Sequence, residues 1–244
     1  MTVKNYIMEK IAGGTIHLTL IDPAKQPAET AACIASKAYS AGTAAIMLGG
    51  STDVTKENLD ATVDAIKKVC DLPIILFPSG AKAISGKCDA IFFMSMVNST
   101  DIGWVIGEQV KGSRVTRKLG IEPISMGYII IEPGMKVGEV GKARPIDRSD
   151  TDLAVSYALA CEYLGMSLVY LEAGSGAYAP VPAEMISAVK KVLSVPLIVG
   201  GGIRTPEAAA AVRLAGADAI VTGTFVETCT DETKLKSVID AVKG

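Results

Sequence analysis

Two short apolar runs near the C-terminal end of the chain finish in glycine: Val195-Pro-Leu-Ile-Val-Gly-Gly-Gly-Ile203 and Ala219-Ile-Val-Thr-Gly-Thr224. Glycines there leave backbone N–H groups bare and let a ligand approach the main chain closely. The helical pattern that follows offers unpaired donors and the positive end of its dipole. If these runs are the last two strands of a barrel, Gly201, Gly202, Gly223 and Thr224 frame a phosphate cradle; read locally, they are only tight turns. One run earlier stands Tyr170-Leu-Glu-Ala-Gly-Ser-Gly176. A carboxylate at Glu172, deep in an apolar strand end, must find a partner or shift its pKa upward. Beside an alcohol it is a general base; beside an arginine or lysine it is a structural ion pair. Tyr170 shares the parity of Glu172, so its hydroxyl points into the same cavity. Asp22 and Ser51, at the ends of neighbouring runs, are hard oxygen donors. Magnesium takes one or two such protein oxygens and fills its sphere with substrate phosphate and water. The plainer roles are a turn for Asp22 and a helix cap for Ser51.

Other reactive side chains argue for less. His17 is the only histidine. It sits near the start of its strand, away from the mouth, and reads as structural; a site built on several histidines is excluded. The five cysteines, Cys33, Cys70, Cys88, Cys161 and Cys229, are scattered, with no C-x-x-C pair. That excludes a disulfide framework or zinc site and fits a reducing cytoplasm. Lys25 and the basic residues Lys136, Lys142, Arg144 and Arg148 could meet a diphosphate, although such charges are more often solvated.

Eight short apolar runs position these residues: Ile16–Ile21, Ala44–Leu48, Pro73–Phe77, Ala90–Met94, Met126–Ile131, Leu168–Leu171, Leu197–Val199 and Ala219–Val221. Continuous apolar blocks suit strands covered on both faces. Helical patterns separate most of them, at Glu29–Ser40, Lys56–Val69, Asp101–Lys118, Thr151–Leu164, Ala183–Leu193, Pro206–Leu214 and Asp231–Val242. Thr55, Thr151 and Thr205 mark helix starts, with Pro206 at a first helical position, and Gly42, Gly165 and Gly216 mark stops. This alternation predicts one domain over residues 1–244, a single α/β (β/α)8 TIM barrel. One crossover is too short: Pro78–Asp89, with its proline and two glycines, has no room for turns plus a helix. The third helix is therefore expected to be missing or vestigial. The gap opens a slot for a long apolar ligand, or is covered by a partner subunit. Glu132–Ser149, rich in Gly, Pro and basic residues, is an unusually long loop after strand 5. In a barrel of this kind the C-terminal strand ends build the site. That adds Gly49-Gly50, Pro78-Ser79-Gly80, Ser95 and Asn98 to the residues above. Trp104, on the helix after strand 4, belongs to the core or to an interface.

The 244 residues are 49% hydrophobic, with a net charge of -2 and 5% aromatics. No basic patch or stacking platform for nucleic acid follows from such numbers. Met1–Lys10 shows no apolar export core, and no run approaches the ~18 apolar residues of a membrane span.

Several stretches together resemble one family: His17-Leu-Thr-Leu-Ile-Asp-Pro23, Ile46-Met-Leu-Gly-Gly-Ser51, Ala90-Ile-Phe-Phe-Met-Ser95, Met126-Gly-Tyr128 through Glu132-Pro-Gly134, Tyr170–Gly176, Val199–Arg204 and Val221–Thr224. Over nearly its whole length the chain resembles geranylgeranylglyceryl phosphate synthase, the prenyltransferase of archaeal ether-lipid synthesis. The resemblance implies transfer of a geranylgeranyl group from its diphosphate to the 3-hydroxyl of sn-glycerol 1-phosphate. It implies that Tyr170, Leu171, Glu172, Ala173, Gly174, Ser175, Gly176, Gly201, Gly202, Gly223 and Thr224 hold the glycerol phosphate, with Glu172 as base. Asp22 and Ser51 would hold Mg2+, and the tail would lie in a groove near the absent helix. A homo-oligomer, dimer or hexamer, is implied too, and transient contact with a membrane surface is open. A different prenyl length, such as heptaprenyl, or a phosphate-binding barrel of other function are the alternatives. The chain departs from the family pattern at Ala24, where an acidic residue is usual, and at Thr100-Asp-Ile-Gly103. The first bears on outer-sphere support of the metal. The second bears on chain length preference or subunit packing.

Overall fold

A computed structural model describes all 244 residues. Eight strands close into one parallel barrel in sequence order: β1 (Ile16–Ile21), β2 (Ala45–Leu48), β3 (Ile74–Leu76), β4 (Ala90–Met96), β5 (Glu122–Ile130), β6 (Leu168–Glu172), β7 (Leu197–Gly200) and β8 (Ala219–Thr222). β8 pairs back onto β1, with Ile16 opposite Ala219 and Thr19 opposite Thr222. Around it run α1 (Val3–Ala12), α2 (Ala28–Ala41), α3 (Lys56–Ile66), α4 (Glu108–Leu119), α5 (Met135–Val140), α6 (Thr151–Tyr163), α7 (Ala183–Val192), α8 (Pro206–Leu214), α9 (Thr224–Thr228) and α10 (Glu232–Lys243).

The continuous apolar strands have the expected physical cause, since both faces are covered. Alternate residues such as Leu18, Met47, Phe92, Met126 and Tyr170 fill the barrel interior, with Ile7 of α1 packed into the same cluster. Their neighbours pack outward against the helices. Between β3 and β4 there is no helix, only turns. The expected helix over Asp101–Lys118 is two pieces, a π-helical turn at Gly103–Gly107 and then α4. β5 starts at Glu122, four residues before the expected Met126, because polar Glu122 and Ser125 pair in register with Ala90 and Phe93. Glu122 also accepts the backbone N–H groups of Val3 and Lys4, which caps α1. Thr55 and Thr205 cap their helices as expected. At α6, Thr151 is the first helical residue, and the cap is Asp150, whose carboxylate accepts the Leu153 N–H at 3.1 Å.

The long loop is ordered. It contains α5 and is latched to the barrel by Asn98, whose Nδ2 donates to the carbonyls of Ile130 (2.8 Å) and Arg144 (3.0 Å). Ser99 Oγ donates to the Gly141 carbonyl at 2.6 Å. Asn98 is thus a fastener, and so is Ser95, whose hydroxyl donates to the Val105 carbonyl at 2.6 Å.

His17 is structural. It is fully buried, and its two ring nitrogens meet the hydroxyls of Thr43 (2.9 Å) and Thr222 (2.8 Å). Burial, reinforced by the Lys243 ammonium, pushes its pKa down to about 3. The folded chain therefore keeps the ring neutral while the unfolded chain takes a proton below about 6.5. Stability is lost as pH falls from there toward about 3, at about 1.4 kcal/mol per pH unit from this one group. Urea unfolding from pH 7 to pH 4 is expected to show a shallower acid loss in His17→Asn than in the wild type. Parallel slopes would remove His17 from that role.

Candidate active site

Glu172 is the last residue of β6 and one of the few buried acids. No lysine or arginine pairs with it. Its Oε1 accepts the Gly174 N–H at 2.6 Å, and its Oε2 accepts the Tyr128 hydroxyl at 3.2 Å. Burial raises its pKa, while hydrogen bonds from Gly174, Tyr170 and Tyr128 pull the other way without cancelling it. The tyrosines are set by packing. Tyr128, Tyr170 and Phe77 meet inside the barrel with centroids 5.1 to 5.9 Å apart, Tyr128 edge-on to both of the others. The result is a buried carboxylate held in place by neutral donors, suited to accept a proton.

On one side of Glu172 lies a cavity walled by Ser175, Gly176, Gly201, Gly202, Gly223 and Thr224, with Arg204 also in its lining. The Ser175 and Thr224 hydroxyls are 2.6 Å apart. Gly201 and Gly202 have φ of 87° and 74°. A Cβ at Gly201 would stand 2.6 Å from Glu172 Oε1, and one at Gly202 would stand 2.4 Å from the Ala179 carbonyl. Both the backbone conformation and the space require glycine. The short extra helix α9 starts at Thr224 directly after β8. Its first N–H groups lack intrahelical partners. Barrels hold phosphates in this arrangement of the β7 and β8 turns with a short helix. Gly202→Ala is expected to weaken binding of a phosphate-bearing ligand tenfold or more, since strained backbone of this kind costs on the order of 1–3 kcal/mol. Titration of the phosphate ligand checks this, and unchanged affinity would contradict it.

On the other side opens a larger, mostly apolar groove. It starts at Gly49, Gly50 and Ser51, passes Phe77, Phe92 and Met96, and leaves the barrel between Ala81–Ile84 and Trp104–Gly112. Leu20, Glu172 and Ser175 line both cavities. Trp104 packs against the barrel-interior core, as one of the two expectations had it, and also forms groove wall. Gln109 Nε2 donates to the carbonyls of Met94 and Trp104, tying the π-helical turn to the barrel.

Asp22 follows β1 and lines neither cavity itself; it lies against the Gly49–Ser51 turn that lines the groove. It is buried, and its Oδ1 accepts the Ala24 N–H at 3.0 Å. A Cβ on Gly50 would stand 2.3 Å from its carboxylate, so the turn leading to Ser51 lies directly against it. Burial raises the Asp22 pKa and the charges of Glu227 and Asp53 add to that, against the Ala24 N–H and Lys25. Glu227, on α9, accepts the Asp22 N–H at 2.8 Å and pairs with Lys25 at 3.2 Å. An acid therefore reaches this corner despite Ala24. No three His, Cys, Asp or Glu side chains cluster for a metal. A buried carboxylate with like charges nearby and only Lys25, 3.8 Å away, as a cationic neighbour fits a cation that takes most of its ligands from substrate and water.

The structure does not bring all expected residues to the cavity. Leu171 and Ala173 face outward into the core beside Val199, so they offer the site only backbone. Among the loop cations, Lys136 and Lys142 pair with Glu139 and Asp101, and Arg148 donates to the Glu132 and Pro180 carbonyls. Tyr128, Arg204 and Glu227 were not expected at the site. Tyr128 was legible from its even parity on β5, and Arg204 from its place just after the glycines.

Fold and site together define a (β/α)8 barrel in which a glycine-walled polar cavity and an apolar groove meet at Glu172. The PcrB family matches residues 5–242. The geranylgeranylglyceryl phosphate synthase of Thermoplasma volcanium is 49% identical over 100% of this chain and 97% of its own length. That of Thermococcus gammatolerans is 54% identical over 92% and 89%. The crystal structure of (S)-3-O-geranylgeranylglyceryl phosphate synthase from Thermoplasma acidophilum, in complex with sn-glycerol-1-phosphate, superposes with a TM-score of 0.97 at 47% identity, covering 100% of this chain and 99% of that one. The chain belongs to the PcrB family, among the geranylgeranylglyceryl phosphate synthases.

Proposed function

We propose that the chain transfers a geranylgeranyl group from geranylgeranyl diphosphate to the 3-hydroxyl of sn-glycerol 1-phosphate. The observation that carries this is the place of Glu172, a buried carboxylate without a cationic partner at the junction of a polar and an apolar cavity. The glycine turns and the Ser175–Thr224 pair hold the phosphate of the acceptor and point its 3-hydroxyl at Glu172. The groove takes the prenyl tail and leaves its reacting carbon near the same carboxylate. The bond from that carbon to the diphosphate breaks, the ether bond to the glycerol oxygen forms, and the hydroxyl proton passes to Glu172. Holding both reactants in one orientation supplies much of the acceleration. Asp22 and Ser51 would hold Mg2+, which when bound offsets charge on the leaving diphosphate. A product assay with glycerol 1-phosphate and glycerol 3-phosphate against a series of prenyl diphosphates tests the reading. Ether formation with the 1-phosphate and the C20 donor is expected. Absence of product from every pair in magnesium would overturn it.

A further inference from the structure

The groove has an open flank, bounded by one helical segment that is apolar on two sides. Trp104, Gln109 and Gly112 face the groove. Ile102 (71% exposed), Ile106 (51%) and Val110 (65%) face solvent at a spacing of four residues. The cations come next. In α4, Gly112 and Thr116 turn inward, so at 3.6 residues per turn the opposite side carries Val110, Arg114, Arg117 and Lys118. Lys82, close enough to Glu108 to act on its charge, extends this cationic field across the slot. Arg114, Arg117, Lys118 and Lys82 form no ion pair. The segment's two acids are already engaged, Glu108 by Lys111 and the Ala81 N–H, Asp101 by Lys142.

We propose that this face docks on an anionic lipid bilayer, with Ile102, Ile106 and Val110 in the interface and Lys82, Arg114, Arg117 and Lys118 over the headgroups. An exposed apolar strip flanked by cations is the pattern of interfacial segments, and each basic residue near an anionic surface is worth about fivefold in partitioning. A second copy of the chain fits the face poorly. A two-fold contact sets a patch against itself and would stack unpaired cations with no free acid to meet them. No helix is long and apolar enough to cross a membrane, so the contact is peripheral. The groove opens on this face, so a prenyl tail passes from bilayer to groove without crossing water. That last step rests on the proposed function; the docking does not.

Flotation of the full chain with vesicles tests it. Binding is expected to vesicles containing phosphatidylglycerol, to be weak to pure phosphatidylcholine, and to fall as salt rises. Arg114→Glu/Arg117→Glu/Lys118→Glu and, separately, Ile106→Ser/Val110→Ser are each expected to lose at least tenfold in partitioning. Both should keep wild-type turnover with a short, water-soluble prenyl diphosphate and lose rate only with vesicle-borne C20 donor. Equal binding to neutral and anionic vesicles, or binding to neither, would overturn the proposal. So would conversion of a dimer to monomer by either variant, which would place the face between subunits. Lack of turnover with every donor would overturn the proposed function instead and leave the flotation result standing.

Discussion

Glu172→Gln is expected to lower turnover about 10²–10⁴-fold while glycerol phosphate binding changes little, the range a positioned general base contributes. Glutamine keeps an oxygen for the Gly174 N–H and an amide group against Tyr128 but cannot take the hydroxyl proton. The stability sign is the opposite of the activity sign. Burial raises the Glu172 pKa, so folding disfavours the charged form. The stability this carboxyl contributes is present at low pH, where it is protonated, and is lost as pH rises through the raised pKa. At neutral pH the variant should melt no lower than the wild type. A structural glutamate would give the reverse, a lower melting temperature with activity retained. The pH profile adds a second readout. The wild-type acid limb should lie above the range of an ordinary carboxylate, because the base works only when ionised, and it should vanish in the variant. Near-normal turnover in Glu172→Gln would remove this residue from the role.

The barrel was legible because its strands are short apolar blocks between well-capped amphipathic helices. The absent helix was legible from length alone, since Pro78–Asp89 is too short for a full crossover. What escaped had weaker local signals. α5 and α9, of six and five residues, are too short to show a helical period, and α1 takes part of its cap from Glu122, more than a hundred residues away. Glu227 reaches Asp22 only through the closure of β8 on β1, which no local pattern announces. Reading Tyr170–Gly176 as one contiguous binding segment overreached. A strand has period two, so Leu171 must leave the cavity if Tyr170 and Glu172 enter it. Asn98 shows a different failure. A polar residue at a strand end is equally suited to catch a ligand or a loop, and here the amide bridges the end of β5 to the long loop: its oxygen accepts the Ile130 N–H, and its nitrogen donates to the carbonyls of Ile130 and, in the loop, Arg144.

Removing the magnesium proposed above, or the Asp22 carboxylate that would hold it, is expected to separate the two halves of the site. Chelation with EDTA should abolish affinity for inorganic pyrophosphate and for the prenyl diphosphate, while glycerol phosphate still binds in the glycine cradle. Asp22→Asn should reproduce this with magnesium present, at a loss of about 10²-fold or more in diphosphate affinity, since even outer-shell partners of a metal are worth about 10–100-fold. Calorimetry with pyrophosphate reads this without any turnover. Thermal melting gives an independent sign. Burial and the neighbouring acids raise the Asp22 pKa, so folding disfavours its charge, and asparagine, which keeps an oxygen for the Ala24 N–H, should leave the barrel without added magnesium as stable or more so. A ligand that binds only the folded state raises stability. Magnesium with pyrophosphate should therefore raise the melting temperature of the wild type and not of Asp22→Asn. Equal gains in both proteins, or pyrophosphate binding that ignores EDTA, would put the diphosphate elsewhere than the corner formed by Asp22, Gly50 and Ser51.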